Sequence, residues 1–344
     1  MKFPLKKTIA LATALITFNA SACTFFQIVT TNGKVINSRS MEWAIDTKTW
    51  QSMPARFVIR PAKTSITIDS VAKTTSLAYA GIETYDNLLT EGVNEKGLSI
   101  SALWYKTGKN PTRSESKDNI ANTEVMPWIL GNFSSAKDAI AALNNKNVYA
   151  PFVKTFNQKL PIHYILTDVN GDYYVIEFDD GKMTITDQKD NKVTTNEPSI
   201  QEQRANLATF YAKNKNLLDK NQAGEMSALP GGYSPKDRFV KISVIKNLLP
   251  KTGDTTTAVY QSFNLLNNVD YPRGVPSYND GSRGASETQE TSWTSVINLT
   301  DKKYYIRSNE NLNIQEIDIT PELFTKTVSF DIYKGEKFII KNVK

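Results

Sequence analysis

Short runs of β-branched and aromatic residues, separated by turn-forming residues, recur along much of this 344-residue chain and predict β-strands. The first pair lies in CTFFQIVTTNGKVINSRSMEW, residues 23–43. Asn32 and Gly33 separate its two runs, and this dipeptide is typical of the two-residue type I′ turn. The stretch therefore predicts a β-hairpin.

An ideal two-residue hairpin also predicts which residues face one another. Paired positions then sum to 65, so Cys23 faces Glu42 and a carboxylate lies beside the first residue of the hairpin. Arg39 pairs with Phe26 and points to the opposite face of the strands. A β-bulge that shifts the strand by one residue is required to bring Arg39 to the side of Cys23.

The same patterns divide the rest of the chain. The other predicted strands span 76–81, 97–105, 162–168, 173–179, 182–187, 192–195, 293–299, 303–307, 313–318 and 327–332. Helical periodicity predicts helices over 124–132, 135–144, 199–213, 235–248 and 254–267, with Ser134 as a cap and Pro235 at a favoured first position. Residues 106–123 and 268–288 are predicted long loops. Strand-rich blocks around two helical blocks predict an α+β domain with its sheets packed between helices.

Residues 1–22 have the pattern of a secretory signal peptide. Lys2, Lys6 and Lys7 precede the apolar run IALATALIT, and Ala20-Ser21-Ala22 forms an A-x-A cleavage site. The apolar run is too short to span a bilayer as a helix. We therefore expect cleavage after Ala22, export to the periplasm or beyond, and a single mature domain, residues 23–344, without a membrane span.

Charge and composition exclude several classes of function. The net charge of +6 falls to +3 when the leader is removed, and the remaining basic residues are interspersed with acids, so nucleic acid is not an expected partner. With one cysteine and one histidine, the chain lacks the ligands of a zinc site built on those residues and cannot form an internal disulfide. No metal or organic cofactor is expected.

A cysteine that begins a mature chain carries its own base. The pKa values of an α-amine, about 8, and of a thiol, about 8.5, allow the amine to accept the thiol proton near neutral pH. Such a nucleophile needs no histidine. The alternatives for Cys23 are a lipoprotein anchor, although Ala20 stands where lipoproteins usually carry Leu, and an inert buried cysteine. A packed, hydrogen-bonded imidazole is the expected role of His163, and a Cys–His hydrolase is the alternative.

Further motifs along nearly the whole mature chain resemble the choloylglycine hydrolase family of N-terminal-nucleophile hydrolases, which includes penicillin V acylases and bile salt hydrolases. Besides Cys23 they are, in family order, RSMEW (39–43), EGVNEKGLSISALWY (91–105), NFSS (132–135), IHYILTDVNGDYYVIEF (162–178), TTNEP (194–198) and SPKDRF (234–239). The resemblance implies a four-layer αββα fold, no cofactor and a homo-oligomer, commonly a tetramer. The implied reaction is hydrolysis of a linear amide through a thioester.

The resemblance also implies roles for individual residues. Cys23 is the nucleophile and, through its amine, the base. Arg39 matches the arginine beside the sulfur, where a cation favours the thiolate. The Asn196 side-chain amide and the Trp104 peptide N–H are the implied oxyanion donors, and Arg238 matches a second arginine that holds the polar groups of the site together.

Two positions depart from common family patterns. Glu42 stands where the family usually has Asp, which moves the carboxylate outward by one methylene. Trp104 stands where bile salt hydrolases typically have Asn, and penicillin V acylases have an aromatic residue there. With Trp43 it implies a flat acyl pocket, although both tryptophans are alternatively plain core residues. The expected partner is therefore a small amide with an aromatic or fatty acyl group, such as penicillin V or an N-acyl homoserine lactone. A bile salt hydrolase and a non-catalytic, lipid-anchored envelope protein are the alternatives.

Overall fold

The computed structural model describes residues 22–45, 49–215, 226–276 and 288–335. The predicted signal peptide lies outside the described residues except for Ala22, so its cleavage stays a prediction. Most of the predicted loop 268–288 also lies outside the described residues, since residues 277–287 are not described, so this part of the loop stays a prediction.

Within these ranges the chain forms five α-helices and 21 β-strands. The helices are α1 (Val125–Asn132), α2 (Ala136–Leu143), α3 (Ile200–Lys213), α4 (Pro235–Leu248) and α5 (Thr255–Leu266). The strands are β1 (Thr24–Val29), β2 (Val35–Ile45), β3 (Arg56–Arg60), β4 (Ser65–Ile68), β5 (Val71–Thr74), β6 (Tyr79–Thr84), β7 (Leu88–Asn94), β8 (Ser99–Trp104), β9 (Asn119–Ala121), β10 (Asn147–Tyr149), β11 (Phe152–Val153), β12 (Gln158–Lys159), β13 (Ile162–Thr167), β14 (Tyr173–Asp179), β15 (Lys182–Asp187), β16 (Val193–Thr195), β17 (Val275–Pro276), β18 (Thr288–Asn298), β19 (Lys303–Ser308), β20 (Gln315–Asp318) and β21 (Val328–Asp331). Short 3-10 turns occur at Tyr85–Asn87, Lys154–Phe156, Met226–Ala228 and Leu323–Thr325.

Most strands belong to two large antiparallel sheets. We call them the first sheet, seven strands with the order β16-β1-β2-β18-β19-β20 and β17 beside β18, and the second sheet, eight strands with the order β15-β14-β13-β8-β7-β6-β3-β21. The two sheets pack face to face, and aromatic side chains from each contact one another between them. Phe25 on β1 contacts Tyr173 on β14, and Phe57 on β3 contacts Tyr304 on β19, with ring centroids 5.8 and 5.1 Å apart.

Helices cover the outer face of each sheet. Helix α4 packs on β1 and β16, and α5 packs on β2 and β18, whereas α1 packs on β7 and β8 of the second sheet. The central strands β2 and β18 are consequently buried on both faces along almost their full length. The layer order helix, sheet, sheet, helix confirms the predicted α+β, four-layer αββα fold.

The predicted pairing within the first hairpin is wrong. Phe25 pairs with Arg39, so paired positions sum to 64 instead of 65. The loop has three residues, Thr31 to Gly33, because the Gly33 N–H donates to the Thr30 carbonyl and Gly33 takes a left-handed conformation with φ +80°. A type I turn followed by such a residue is the usual three-residue hairpin loop. Arg39 therefore shares a face with Cys23 without a bulge between β1 and β2.

Other elements differ from prediction in detail. Ser135, not Ser134, caps α2, since its side chain accepts a hydrogen bond from the Asp138 N–H. Nine observed strands were not predicted: β3, β4, β5, β7, β9, β10, β11, β12 and β17. Of these, β7 lies within the second sheet, and β9 lies inside the predicted loop 106–123, which is therefore not irregular throughout. The other predicted helices match the observed ones to within a residue or so at each end.

Candidate active site

Cys23 lines a cavity that holds about 620 Å³ of empty space, part of it open to solvent. The cavity is bounded mainly by apolar side chains, among them Trp43, Trp104, Met126 and Phe156. The thiol itself is buried, with 1% of the residue exposed. A buried sulfur beside an apolar cavity is suited to reaction with a small molecule that is enclosed and shielded from water.

Two residues of β2 flank the Cys23 sulfur. The thioether of Met41 lies 3.6 Å from Sγ, and Arg39 Nη2 lies 3.9 Å from it. Nη2 also contacts the Met41 sulfur at 3.1 Å. The structure thus brings the predicted cation to the predicted nucleophile, because the three-residue hairpin loop places both on the same face of the sheet.

The second sheet holds the guanidinium of Arg39 in place. Nη1 donates to the Thr90 carbonyl at 2.5 Å and Nη2 to the Ala102 carbonyl at 2.7 Å. These carbonyls lie one residue beyond the last pair that joins β7 to β8, Glu91 with Ser101. Arg39 therefore lies where the pairing of β7 with β8 ends, and it donates to the two backbone carbonyls that the strands no longer bond to each other.

Glu91 compensates the charge of Arg39, a role that the sequence analysis missed. Its carboxylate lies 3.4 Å from Arg39 Nη1 and accepts hydrogen bonds from Trp293, Ser295 and Tyr304, all three on the first sheet. Burial lowers the pKa of Arg39, but the charges of Glu91 and Cys23 outweigh it, and the net pKa lies above its ordinary value. The signal in the sequence was a single acid, Glu91, in a stretch that folds into the largely buried strand β7.

Asn196 and Arg238 meet at the backbone of Cys23. Strand β16 pairs with β1 through Thr195 and Thr24, which brings Asn196, the next residue, to the level of Cys23. Arg238 in the first turns of α4 donates to the Cys23 carbonyl at 2.6 Å and to Asn196 Oδ1 at 2.7 Å. The structure therefore joins these predicted site residues in one buried network.

The other side of Asn196 contacts the end of β8. Its Nδ2 donates to the Trp104 carbonyl at 2.8 Å, which links the two sheets beside the cavity. The Trp104 ring packs edge to face on Trp43 at 6.0 Å, and Trp43 packs in the same way on Phe156 at 6.0 Å. These three rings form an aromatic wall of the cavity, which is the position predicted for Trp43 and Trp104.

Glu42 lies on the other face of β2 from Arg39, which contradicts its predicted pairing with Cys23. Its carboxylate accepts a hydrogen bond from Thr291 Oγ1 at 2.9 Å. Burial raises the pKa of Glu42 to about 8, although the charge of Arg238 acts in the opposite direction. The expected bulge occurs instead between β2 and β18, where the register shifts between Thr291 and Trp293.

His163 is packed as predicted but not hydrogen-bonded as predicted. Its ring stacks on Tyr105 with centroids 4.8 Å apart, and Nδ1 lies 3.8 Å from Glu177 Oε1. Among the described residues neither ring nitrogen has a hydrogen-bond partner. His163 is absent from the described residues that line the cavity, so the structure does not bring it to the substrate side of Cys23.

In the part of the chain that the structure describes, no group of three or more His, Cys, Asp or Glu side chains is arranged to hold a metal ion. Likewise, none of its helices combines the length and apolar character of a membrane span.

Known proteins share both the sequence pattern and the fold. A family profile described as "Linear amide C-N hydrolases, choloylglycine hydrolase family" matches residues 23–330. The chain is 27% identical to a bile salt hydrolase/transferase of Clostridium perfringens over 72% of this chain and 79% of that protein. It is 26% identical to a penicillin V acylase of Pectobacterium atrosepticum over 83% of this chain and 77% of that protein.

Solved structures show the same arrangement of elements. Penicillin V acylase from Agrobacterium tumefaciens superposes with a TM-score of 0.70, at 26% identity over 87% of each chain. A variant of conjugated bile acid hydrolase from Clostridium perfringens superposes with a TM-score of 0.76, at 23% identity over 93% of this chain and 99% of that one. The second likeness is one of fold alone.

Proposed function

The chain belongs to the choloylglycine hydrolase family of linear amide C–N hydrolases, and we propose that it cleaves its amide with Cys23 as an N-terminal nucleophile. The observation that carries this proposal is the placement of the Cys23 sulfur, beside the Arg39 guanidinium and open to the cavity. The match to the family begins at the same residue, which supports Cys23 as the start of the mature enzyme.

Removal of residues 1–22 is the activating step in this proposal. While Ala22 is attached, the Cys23 nitrogen is an amide and cannot accept a proton. Cleavage converts it to an α-amine, which takes the thiol proton. The Arg39 cation favours the resulting thiolate. We accordingly propose export to the periplasm or beyond, and a mature domain of residues 23–344.

Acylation follows from the groups around the sulfur. The thiolate adds to the amide carbonyl carbon and forms a C–S bond, and the carbonyl oxygen becomes an oxyanion. Asn196 Nδ2 has two hydrogens; one donates to the Trp104 carbonyl, and the other is assigned to the oxyanion together with the Trp104 peptide N–H. Collapse breaks the C–N bond, and the α-ammonium gives its proton to the leaving amine.

Deacylation uses the same groups in reverse. The α-amine takes a proton from water, hydroxide adds to the thioester carbonyl, and the C–S bond breaks to release the acid and restore the thiolate. Arg238 positions this machinery, since it binds the Cys23 carbonyl and Asn196 at the same time. Glu42 lies on the other face of β2 from Arg39, where the charge of Arg238 acts on it, and we propose that its carboxylate stabilises the α-ammonium once that charge forms.

The cavity favours an aromatic or fatty acyl group. Trp43, Trp104 and Phe156 present flat apolar surfaces, and edge-to-face packing holds them in place. We propose penicillin V and long-chain N-acyl homoserine lactones as the substrate class, in line with the relatives named penicillin V acylase. Bile salts are the second candidate, because other relatives are named bile salt hydrolase.

Release of free acid from phenoxymethylpenicillin, a long-chain acyl homoserine lactone and glycocholate tests the proposal. We expect the processed wild type to cleave the first two and Cys23→Ala to cleave none. The matched control is Met41→Leu, which changes a neighbour of the sulfur but keeps the nucleophile. Equal rates for wild type and Cys23→Ala would exclude the mechanism, and preference for glycocholate would select the second candidate.

The mass of the purified N-terminus tests the other alternative. An unmodified Cys23 with a free amine agrees with the enzyme, whereas diacylglycerol on the sulfur would identify a lipid-anchored protein without a nucleophile. Analytical ultracentrifugation of the same preparation tests the proposed homo-oligomer, for which a tetramer is expected.

A further inference from the structure

The side-chain oxygen of Asn122 is a buried acceptor at the wall of the cavity that also contains Cys23. Asn122 is 1% exposed and lies between β9 and α1. Its Oδ1 has no hydrogen-bond partner among the described residues. Buried polar atoms are nearly always satisfied, so an unpaired carbonyl oxygen beside a binding cavity indicates a donor that arrives with a bound molecule.

The rest of Asn122 is engaged in the fold. Its peptide N–H donates to the Tyr149 carbonyl at 2.8 Å, and its own carbonyl accepts a hydrogen bond from the Tyr164 hydroxyl. Its Nδ2 donates to the Leu160 carbonyl at 2.8 Å. Oδ1 is therefore the side-chain acceptor of Asn122 that has no partner among the described residues, and three hydrogen bonds hold the residue in place.

These contacts also determine the polarity of the group. If the side-chain amide were turned over, Oδ1 would face the Leu160 carbonyl and two acceptors would meet. Asn122 consequently holds a buried acceptor beside the cavity. Its partner on a bound molecule must be an O–H or N–H.

The surroundings distinguish these two donors. None of the described residues that line the cavity is Asp or Glu, and Arg39 is a cation within it. An ammonium group would therefore be buried without a counter-charge, which is strongly unfavourable. The hydroxyls of Thr84 and Thr90 already donate to the carbonyls of Pro54 and Ile82. A neutral hydroxyl on an otherwise apolar acyl group fits this wall.

We propose that Asn122 is a specificity-determining residue and that the enzyme prefers amides whose acyl group carries a hydroxyl that donates to Asn122 Oδ1. This inference rests on the proposed amidase function and narrows its substrate class. A preorganised acceptor discriminates well, because an acyl group without the hydroxyl leaves Oδ1 buried and unpaired in the complex.

A series of p-nitroanilides tests it. The acyl groups are dodecanoyl and hydroxydodecanoyl with the hydroxyl moved stepwise along the chain, so the released p-nitroaniline reports every reaction alike. For processed wild type we expect kcat/KM for at least one hydroxylated amide to exceed that for the plain amide by about tenfold. In Asn122→Leu, which has similar volume and no acceptor, the two values should agree within about twofold.

The ratio of two substrates in one preparation does not depend on the folded fraction, so partial misfolding of Asn122→Leu leaves the test valid. Asn122→Ala is the second variant. The matched control is Asn191→Leu, the same change at an asparagine outside the cavity whose Oδ1 also has no partner among the described residues, and its ratio should equal that of wild type. Cleavage of the plain and hydroxylated amides at equal rates by wild type would overturn the inference while leaving the amidase function intact. So would an equal loss of the ratio in Asn191→Leu. Cleavage of no amide would overturn the proposed function, and this inference with it.

Discussion

Arg39 and Glu91 form an ion pair in the interior of the protein, with Nη1 3.4 Å from Oε2 and both side chains almost fully buried. Arg39 comes from the first sheet and Glu91 from the second, so the pair joins the sheets beside the Cys23 sulfur. A buried charge that loses its partner is strongly destabilising. The pair therefore makes the position of the cation depend on the packing of the two sheets.

Glu91→Gln is expected to reduce both stability and activity. The substitution keeps the shape of the side chain but leaves the charge of Arg39 uncompensated, which costs about 3 kcal/mol of unfolding free energy. Tyr304→Phe is the matched control: it removes one hydrogen bond to Glu91 and keeps the charge, for about 1 kcal/mol. Urea denaturation and kcat/KM measure both. Equal losses in the two variants would show that the ion pair contributes nothing beyond its hydrogen bonds.

Asn196→Ala is expected to lower kcat by about 100- to 1,000-fold with little change in KM, since the oxyanion donor proposed for this position would act in the transition state. Thr194→Val, two residues earlier on β16, removes the hydrogen bond to Tyr173 and serves as the control. Its kcat should stay within about twofold of wild type. A matching fall in the control would assign the effect to the strand instead of the amide.

Trp104→Asn is expected to raise KM for phenoxymethylpenicillin about tenfold, because the edge-to-face contact with Trp43 is lost, while kcat changes little since the peptide N–H remains. Trp128→Leu, in the outer helix layer where the ring packs on Phe133, controls for the loss of a tryptophan elsewhere. A fall in kcat without a change in KM would contradict the role of Trp104 in the acyl pocket.

Glu42 is expected to make stability depend on pH. Its pKa is about 8 in the folded chain against 4.5 as the ordinary value, so folding takes up a proton between these limits. The contribution is fully present below pH 4.5 and is lost as the pH rises through 8. In a chain that keeps Ala22, Glu42→Gln should therefore become more stable relative to wild type over this range. Denaturation curves at several pH values measure it, with Glu115→Gln on the surface as control; parallel wild-type and Glu42→Gln curves would refute it.

The sequence was sufficient for the fold class because local patterns specify it. Caps such as Ser234 before Pro235 mark helix starts within the chain itself. The register of the first hairpin was harder to predict, since Asn32 and Gly33 suit a loop of two residues or of three. The loop length decides on which face of the sheet Arg39 lies. Strand β3 has an apolar centre of only three residues between two arginines, so its pattern was too short to assign.

Site residues that match family motifs could be predicted from the sequence. Site residues that are recognised only by their neighbours in the folded chain could not. Cys23, Arg39, Asn196 and Arg238 converge as expected. Glu91 lies within a recognised motif, but its partners Trp293 and Tyr304 are more than 200 residues away in sequence. Likewise, the proposed role of Asn122 could be inferred only from its hydrogen bond to Leu160 and from the cavity beside it.

Hydrogen bonds from Arg238 to Cys23 and Thr24 would fix the chain end that the proposed cleavage creates. Polypeptide termini are normally the first part of a protein to fray. Here the Arg238 guanidinium donates to both the carbonyl of Cys23 and the hydroxyl of Thr24. The strand that follows, β1, lies between β16 and β2 in the first sheet. The proposed removal of residues 1–22 would thus change a single nitrogen. The adjacent sulfur, the proposed nucleophile, would stay as fixed as a buried interior side chain although it belongs to the first residue of the chain.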